Sequence, residues 1–415
     1  MLYLITDPCP GYSSFMMKFL YEHARKAIAV FTSEGSCQAF HDMCEGELGE
    51  CLADEYLLSE FADTKALADQ ILSDWPDEPI EGVIPWSEFQ VELGAELAEH
   101  LGLDWNPREV INRFRNKYNL KEYLRNNSEV KINASRVVNE EEEALEFQEQ
   151  LDKWPIVVKP SQGAGSRKVF FTQDRDELVE RCREVFSSGM GEVLLEEFVT
   201  GNEFVVNGIT DAEHDVLITD VWFYDKRESH GYKNLYYETV KVNTNDPVFE
   251  PLTDYAGAVI SALGLRKSPF HMELKLEESG PCLIEVGCRF AGGNQPLLAS
   301  RLHDRSLFEL AACHYLANLP LHLGEVHYDR YDSHQARIIS GIQTYEIPTI
   351  SGLEGVAAVE ALPSFFMFGL IMPTGSHLPV TQDLFGKSYE VYLFHEDPEQ
   401  IADDAQKVRE LLRYY

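Results

Sequence analysis

Positive charge is scarce in this chain of 415 residues: 35 lysines and arginines stand against 70 aspartates and glutamates, a net of −35. Nucleic-acid binding needs a basic face, so that class of partner is excluded. A smaller polyanion is not. Acids more than roughly 8 Å away are largely screened at physiological salt, whereas a lysine about 4 Å from a phosphate contributes a few kcal/mol at an effective dielectric near 20. Long hydrophobic runs are missing as well, so no membrane span is expected. The apolar start, Leu2 to Ile5, follows Met1 without a basic region or a small-residue cleavage site, so no secretory signal is expected. Eight cysteines in this length make no disulfide framework, and reduced thiols in a cytoplasm are the simpler reading. Cys37, Cys44 and Cys51, with His41 between them, fit no standard zinc spacing and read as structural. Internal repeats and low-complexity linkers are absent.

Two common phosphate-binding patterns are missing too. Gln162 to Phe170 does not supply the Walker pattern, and Lys168 stands where the third glycine of Gly-x-Gly-x-x-Gly would fall. What the chain has is the stretch Pro155 to Phe171, PIVVKPSQGAGSRKVFF. A β-branched run ends in Lys159-Pro160, a loop of small residues from Ser161 to Ser166 follows, and a second strand-like segment closes the hairpin. Gly163 and Gly165 leave backbone N–H groups uncovered, Ser166 adds a hydroxyl, and Lys159 adds a fixed positive charge. A tight turn and a polyphosphate cradle both satisfy that pattern.

Residues 1–107 alternate strands (Leu2–Thr6, Ala27–Phe31, Glu55–Leu58, Gly82–Pro85) with helical stretches (Ser14–Ala24, Lys65–Trp75, Glu88–Leu101). That alternation implies a parallel, Rossmann-like sheet covered by helices. Its first turn, Asp7 to Gly11, lacks a dinucleotide fingerprint, so the domain is expected to shape one wall of a substrate cleft. Arg108 to Asn127 is a basic helical segment, in which Lys117 is either a solvated helix lysine or a phosphate ligand. Residues 108–330 form a second domain with lobes at about 108–195 and 196–330. Residues 331–415 read as a compact α+β cap, with strands near Gln335–Ser340, Val356–Ala361 and Tyr389–His395 and no catalytic pattern.

Carboxylates mark the middle of the chain. Glu196, Glu197 and Glu203 flank Thr200-Gly201-Asn202, where a segment leaving a strand can offer backbone groups to a flat base and a carboxylate to ribose hydroxyls. Two strands, Phe270–Leu276 and Cys282–Val286, carry Glu273 and Glu285. If they pair, both acids can meet at one point, as hard Mg²⁺ requires. Strand carboxylates facing inward are otherwise expensive. Arg289 follows, then the loop Ala291 to Asn294. Metal carboxylates beside an arginine form a constellation for phosphoryl transfer.

In this order, Lys117, Lys159, the Gly163–Ser166 loop, Glu196–Glu203, Glu273 and Glu285–Arg289 resemble the ATP-grasp superfamily. HMELKL near His271 and LIEVGCRFAGGN from Leu283 look most like the bacilysin-synthetase type of L-amino acid ligase, a pattern shared with carnosine-synthase-like enzymes. The resemblance implies an α/β and α+β chain: an ATP-grasp fold with an N-terminal Rossmann-like domain and a C-terminal α+β cap. It implies that Lys117 and Lys159 hold ATP phosphates and that Ser161, Gly163, Gly165 and Ser166 close over them. Glu196, Glu197, Phe198 and Val199 would frame adenine through backbone groups, and Glu203 would take the ribose. Glu273 and Glu285 would carry Mg²⁺, with Mn²⁺ able to substitute. Arg289 would steady the acyl phosphate. Glu238 matches a family Glu-x-x-His in the amino-acid pocket, with Lys241 at the histidine position, and Gly292, Gly293 and Asn294 would face substrate. Gly287 stands where the superfamily often has asparagine, a residue the dipeptide-ligase branch tends to lack.

The implied reaction is ATP-dependent amide formation from a small-molecule carboxylate and amine, in the cytoplasm, with a homodimer allowed. An ATP-grasp carboxylase, a phosphoribosylamine-type ligase and a non-catalytic ATP-binding regulator remain open alternatives.

Overall fold

Leu2–Thr6 (β1), Lys26–Phe31 (β2), Leu52–Leu57 (β3) and Ile80–Pro85 (β4) form a parallel sheet in the order β3-β2-β1-β4. All of β1 and the Ala27–Phe31 part of β2 are buried, as a parallel sheet covered on both faces requires. Helices Tyr12–Glu22, Glu34–Leu48, Thr64–Asp74 and Val91–Leu101 alternate with these strands. The expected strand at Glu55–Leu58 begins earlier, at Leu52, and ends at Leu57. The computed structural model describes residues 1–8, 12–162, 168–189, 192–316 and 328–415, without the side chains of residues 12, 44, 45 and 385. Among the described residues no helix is long and apolar enough to cross a membrane. Cys51 is buried in the core, while ligand atoms of Cys37, His41 and Glu55 lie within 4.8 Å of one another.

The basic segment expected as one helix is two, Arg108–Arg115 and Lys117–Asn127. Asn116 interrupts them in extended backbone, and its Oδ1 accepts the N–H groups of Tyr118 and Asn119 at 3.0 Å each. This is an N-cap, satisfying donors that have no partner inside the helix. It fixes Lys117 at the start of a helix, with its own N–H on the Ser161 carbonyl at 3.0 Å.

Ser135–Val138 (β5), Ile156–Pro160 (β6), Phe170–Thr172 (β7) and Val193–Glu197 (β8) make a second sheet, antiparallel, in the order β5-β8-β6-β7. Its core draws Phe147 and Leu178 from helices Glu141–Leu151 and Arg175–Phe186 onto Ile156, Val158 and Leu195. The hairpin joining β6 and β7 is present, pairing Val157 with Phe171. Gly163, Gly165 and Ser166 at its tip lie outside the described residues.

The third sheet has eight strands. Asn202–Thr210 (β9), Val216–Ser229 (β10), Tyr232–Lys241 (β11), Ser268–Glu277 (β12), Gly280–Gly287 (β13) and Gln335–Ser340 (β14) join two later strands. After the short Leu353–Glu354 (β15) come Phe365–Ile371 (β16) and Tyr389–His395 (β17), giving the order β13-β12-β9-β10-β11-β14-β17-β16. The segment expected as a compact α+β cap has a core of its own, built from Ile339, Val391, Ile401 and Val408 among others, and its strands β14, β16 and β17 also continue the large sheet, because β14 pairs with β11 through Glu238–Val240. Val356–Ala361, however, is no strand. Val356–Glu360 is a short helix, as its alanines and glutamate favour, and the strand lies at Phe365–Ile371.

Asn116→Ala should cost about 1 kcal/mol of stability through the lost cap. Urea unfolding checks this, and an unchanged midpoint would contradict the assigned role.

Candidate active site

A cleft of about 430 Å³ opens over one face of the large sheet. Period-two alternation aims its side chains: His271, Glu273 and Lys275 on β12, Glu285 and Gly287 on β13, Tyr224 and Lys226 on β10. The small antiparallel sheet supplies the opposite wall through Val157, Lys159, Phe171, Glu196 and Phe198. The N-terminal domain adds a third wall, Trp86 to Phe89, at the carboxyl end of β4, where open parallel sheets present ligand-facing loops.

Glu273 and Glu285 are register partners on β12 and β13. Facing residues in such a pair have Cβ atoms about 5 Å apart, and like charges there repel unless a cation lies between or beside them. A lysine and an imidazole are beside them. Lys117 Nζ sits 3.1 Å from Glu285 Oε1, and His271 Nε2 is 3.7 Å from Glu273. Burial pushes the Glu273 carboxyl up, but His271, Lys226 and Arg289 prevail and hold it at about 2. Two carboxylates converging from adjacent strands suit a hard divalent cation such as Mg²⁺.

Glu196 is buried between two ammonium groups, Lys121 at 2.8 Å and Lys159 at 2.9 Å. Burial raises its pKa, and the two lysines outweigh burial and set it at about 2. The Glu196 side chain is thus a counter-ion shared by the two lysines, a role beyond the backbone one expected for it. Glu203 pairs with Lys226 on the cleft floor.

In the segment expected to frame adenine, two backbone carbonyls already accept side-chain donors. Asn133 donates to the Glu197 carbonyl at 2.8 Å and Lys275 to the Val199 carbonyl at 3.0 Å. Glu197 itself pairs with Lys153 at 2.7 Å. Phe198 meets Phe171 edge-on at 5.7 Å; with Val157, Val199 and Ile284 these rings make an apolar slot suited to a flat base. Ser161 is buried beside Lys117 and is not among the cleft-lining residues.

Glu238 and Lys241 stand outside the cleft. A register shift between Tyr236 and Glu238 re-phases β11, so Asn234, Tyr236 and Thr239 face the cleft. Glu238 points to the other face, paired with Arg337 at 2.7 Å and Arg409 at 3.1 Å. Lys241 lies beyond the cleft end, donating to the Tyr331 carbonyl at 2.6 Å with that ring 4.1 Å away. Burial lowers its pKa to about 8.

Sequence reasoning missed two residues here. Lys121 is one helical turn from Lys117, a spacing that puts both on one face. Glu88 reaches in from the N-terminal loop, with Oε2 2.9 Å from Arg289 Nε and Oε1 2.6 Å from Arg115. Burial pushes its carboxyl up, but Arg289, Arg115 and Lys117 hold it below the usual carboxylate range. A Cβ at residue 287 would lie 2.7 Å from Glu88 Oε2, so Gly287 leaves the space that Glu88 fills.

Residues 152–296 match the ATP-grasp domain family. The chain carries an ATP-grasp domain. The matched span of this ATP-grasp domain includes Lys159, Glu196, Glu203, Glu273, Glu285 and Arg289. Dapdiamide A synthase of Enterobacter agglomerans is 33% identical over 236 residues, 55% of this chain and 55% of that protein. The L-arginine-specific L-amino acid ligase of Bacillus subtilis is 21% identical over 262 residues, 61% and 62% of the two lengths. The chain thus spans little more than half the length of these curated relatives. The L-amino acid ligase of Bacillus licheniformis shares the ATP-grasp fold with a TM-score of 0.79 at 20% identity, over 100% of this chain and 98% of that one.

Glu196→Gln should cost about 3–5 kcal/mol at pH 7, because it leaves Lys121 and Lys159 buried beside a neutral group. The carboxylate's folded pKa lies below its ordinary value of 4.5, so its contribution is full above that value and is lost as pH falls toward about 2. Urea titrations should show the gap between wild type and variant narrowing from pH 5 toward pH 2.5; a constant gap would contradict the assignment.

Proposed function

We propose that this protein is an ATP-dependent carboxylate–amine ligase that forms an amide or dipeptide bond through an acyl phosphate, with an amino acid as at least one substrate. The observation that carries the reading is the cleft itself. Opposed Glu273 and Glu285, Arg289, and the lysines 117 and 159 converge there, across from the apolar slot of Phe171, Phe198 and Val199. A relative named as an L-amino acid ligase and another named as dapdiamide A synthase support the same reading.

The chain's residues divide the work. Phe198, Phe171 and Val199 flank adenine, and Glu203 takes the ribose hydroxyls. Lys117 and Lys159 hold phosphate oxygens. Glu273 and Glu285 would hold Mg²⁺, which when bound neutralises charge developing on the transferred phosphoryl group. A carboxylate oxygen of the first substrate attacks the γ-phosphorus, ADP leaves, and an acyl phosphate results. The amine then attacks the acyl carbon, phosphate departs with the former carboxylate oxygen, and the nitrogen gives up its proton. Arg289 stabilises the charge on the acyl phosphate and on the tetrahedral intermediate. Positioning and charge relief are most of what phosphoryl transfer asks of a protein.

Glu273→Ala and Arg289→Ala should each reduce amine-dependent ADP release at least roughly a hundredfold while leaving far-UV circular dichroism unchanged. The check is coupled ADP release over a matrix of amino acids, with mass spectrometry of products. Wild-type turnover in both variants would overturn the proposal.

A further inference from the structure

The far end of the cleft belongs to a segment in which the sequence offers no catalytic pattern. Lys387, Glu390 and Tyr392, on and just before β17, line it together with Gly292 and Gly293. Lys387 Nζ pairs with Glu390 Oε1, and both side chains are only 13% exposed. Glu390 Oε2 accepts from the Tyr392 hydroxyl at 2.9 Å, and that hydroxyl accepts the Asn294 N–H at 3.1 Å. Gly293 has φ +66, and a Cβ there would stand 3.4 Å from Tyr392 Oη and 3.7 Å from Glu390 Oε2. A side chain at 293 would therefore cover this group. Glycine leaves it open to the cleft, four residues after Arg289.

None of these charges is used by the nucleotide or the metal. Holding an ion pair half-buried on a cleft wall is costly unless something exchanges with it. We propose that Lys387, Glu390 and Tyr392 form the subsite for the amine substrate, and that this substrate is an amino acid bound as its zwitterion. Its carboxylate replaces Glu390 on Lys387, and its ammonium replaces Lys387 on Glu390, where it rests until it loses one proton to solvent and attacks as the neutral amine. The exchange leaves every charge paired. A simple amine would satisfy Glu390 and strand Lys387, and a simple carboxylate would do the reverse, so the subsite selects molecules carrying both groups. The Tyr392 hydroxyl, fixed by the Asn294 N–H, orients the Glu390 carboxylate beside the loop that follows Arg289.

This inference rests on the ligase reading, and the test separates the two. Hydroxylamine captures acyl phosphates as hydroxamates and carries no carboxylate to meet Lys387. Hydroxamate formation and amino-acid-dependent ligation are measured with a panel of common α-amino acids on wild type, Lys387→Met, Lys387→Arg, Glu390→Gln and the charge-swapped Lys387→Glu/Glu390→Lys. Expected for Lys387→Met and Glu390→Gln is a KM for the amino-acid amine raised roughly tenfold or more, with KM for ATP and hydroxamate yield unchanged. Lys387→Arg should recover most of the loss. The charge-swapped protein keeps its internal pair and should still make hydroxamate but lose amino-acid acceptors. Unchanged amine KM in both single variants, or ordinary acceptor use by the swapped protein, would overturn the subsite alone. Absence of hydroxamate from every carboxylate with wild type would overturn the ligase reading and the subsite with it.

Discussion

Charge taken out of water must be paired, and that constraint organises the cleft. Ion pairs that leave solvent lose several kcal/mol of hydration per ion, regained only through close partners. Here Lys117 meets Glu285, Lys121 and Lys159 share Glu196, Lys226 meets Glu203, and Glu88 joins Arg289 to Arg115. The pairs draw on the N-terminal domain, the small antiparallel sheet and the large sheet, so the walls of the cleft are registered on one another by charge. On the proposed reading they also account for a polyanion site in a protein of net charge −35: the acids beside Lys117 and Lys159 are local counter-ions that a metal or a substrate cation can take over.

The fold makes this pairing reproducible. Strand alternation on β12 and β13 sets Glu273 opposite Glu285, and the N-cap at Asn116 sets Lys117 over the second of them. The terminal strands continue the large sheet past β11, carrying Lys387 and Glu390 to the end of the same cleft. One sheet thus spans the proposed metal carboxylates and the proposed amine subsite.

Much of this was legible in the sequence because it is local. The buried run of β1, the hairpin of β6 and β7, and the paired glutamate strands each announce themselves within a few residues. What was not legible depends on contact between distant segments. Glu88 and Arg289 meet across 201 positions, and no spacing rule reaches that far. The re-phasing of β11 turned Glu238 away from the cleft, which period-two counting cannot anticipate. Val356–Glu360 is too short for periodicity to separate helix from strand. That the strands of the cap continue the large sheet was not legible either, because their partner, β11, lies about a hundred residues upstream.

The central claim is that the cleft activates a carboxylate as an acyl phosphate. Oxygen tracing tests it most directly. An amino acid labelled with ¹⁸O in its carboxylate is turned over with ATP and an amine, and the released phosphate is analysed by mass spectrometry. The account predicts that each phosphate carries one ¹⁸O from the carboxylate and that ADP is the nucleotide product. Unlabelled phosphate alongside amide product, or AMP and pyrophosphate in place of ADP and phosphate, would contradict it.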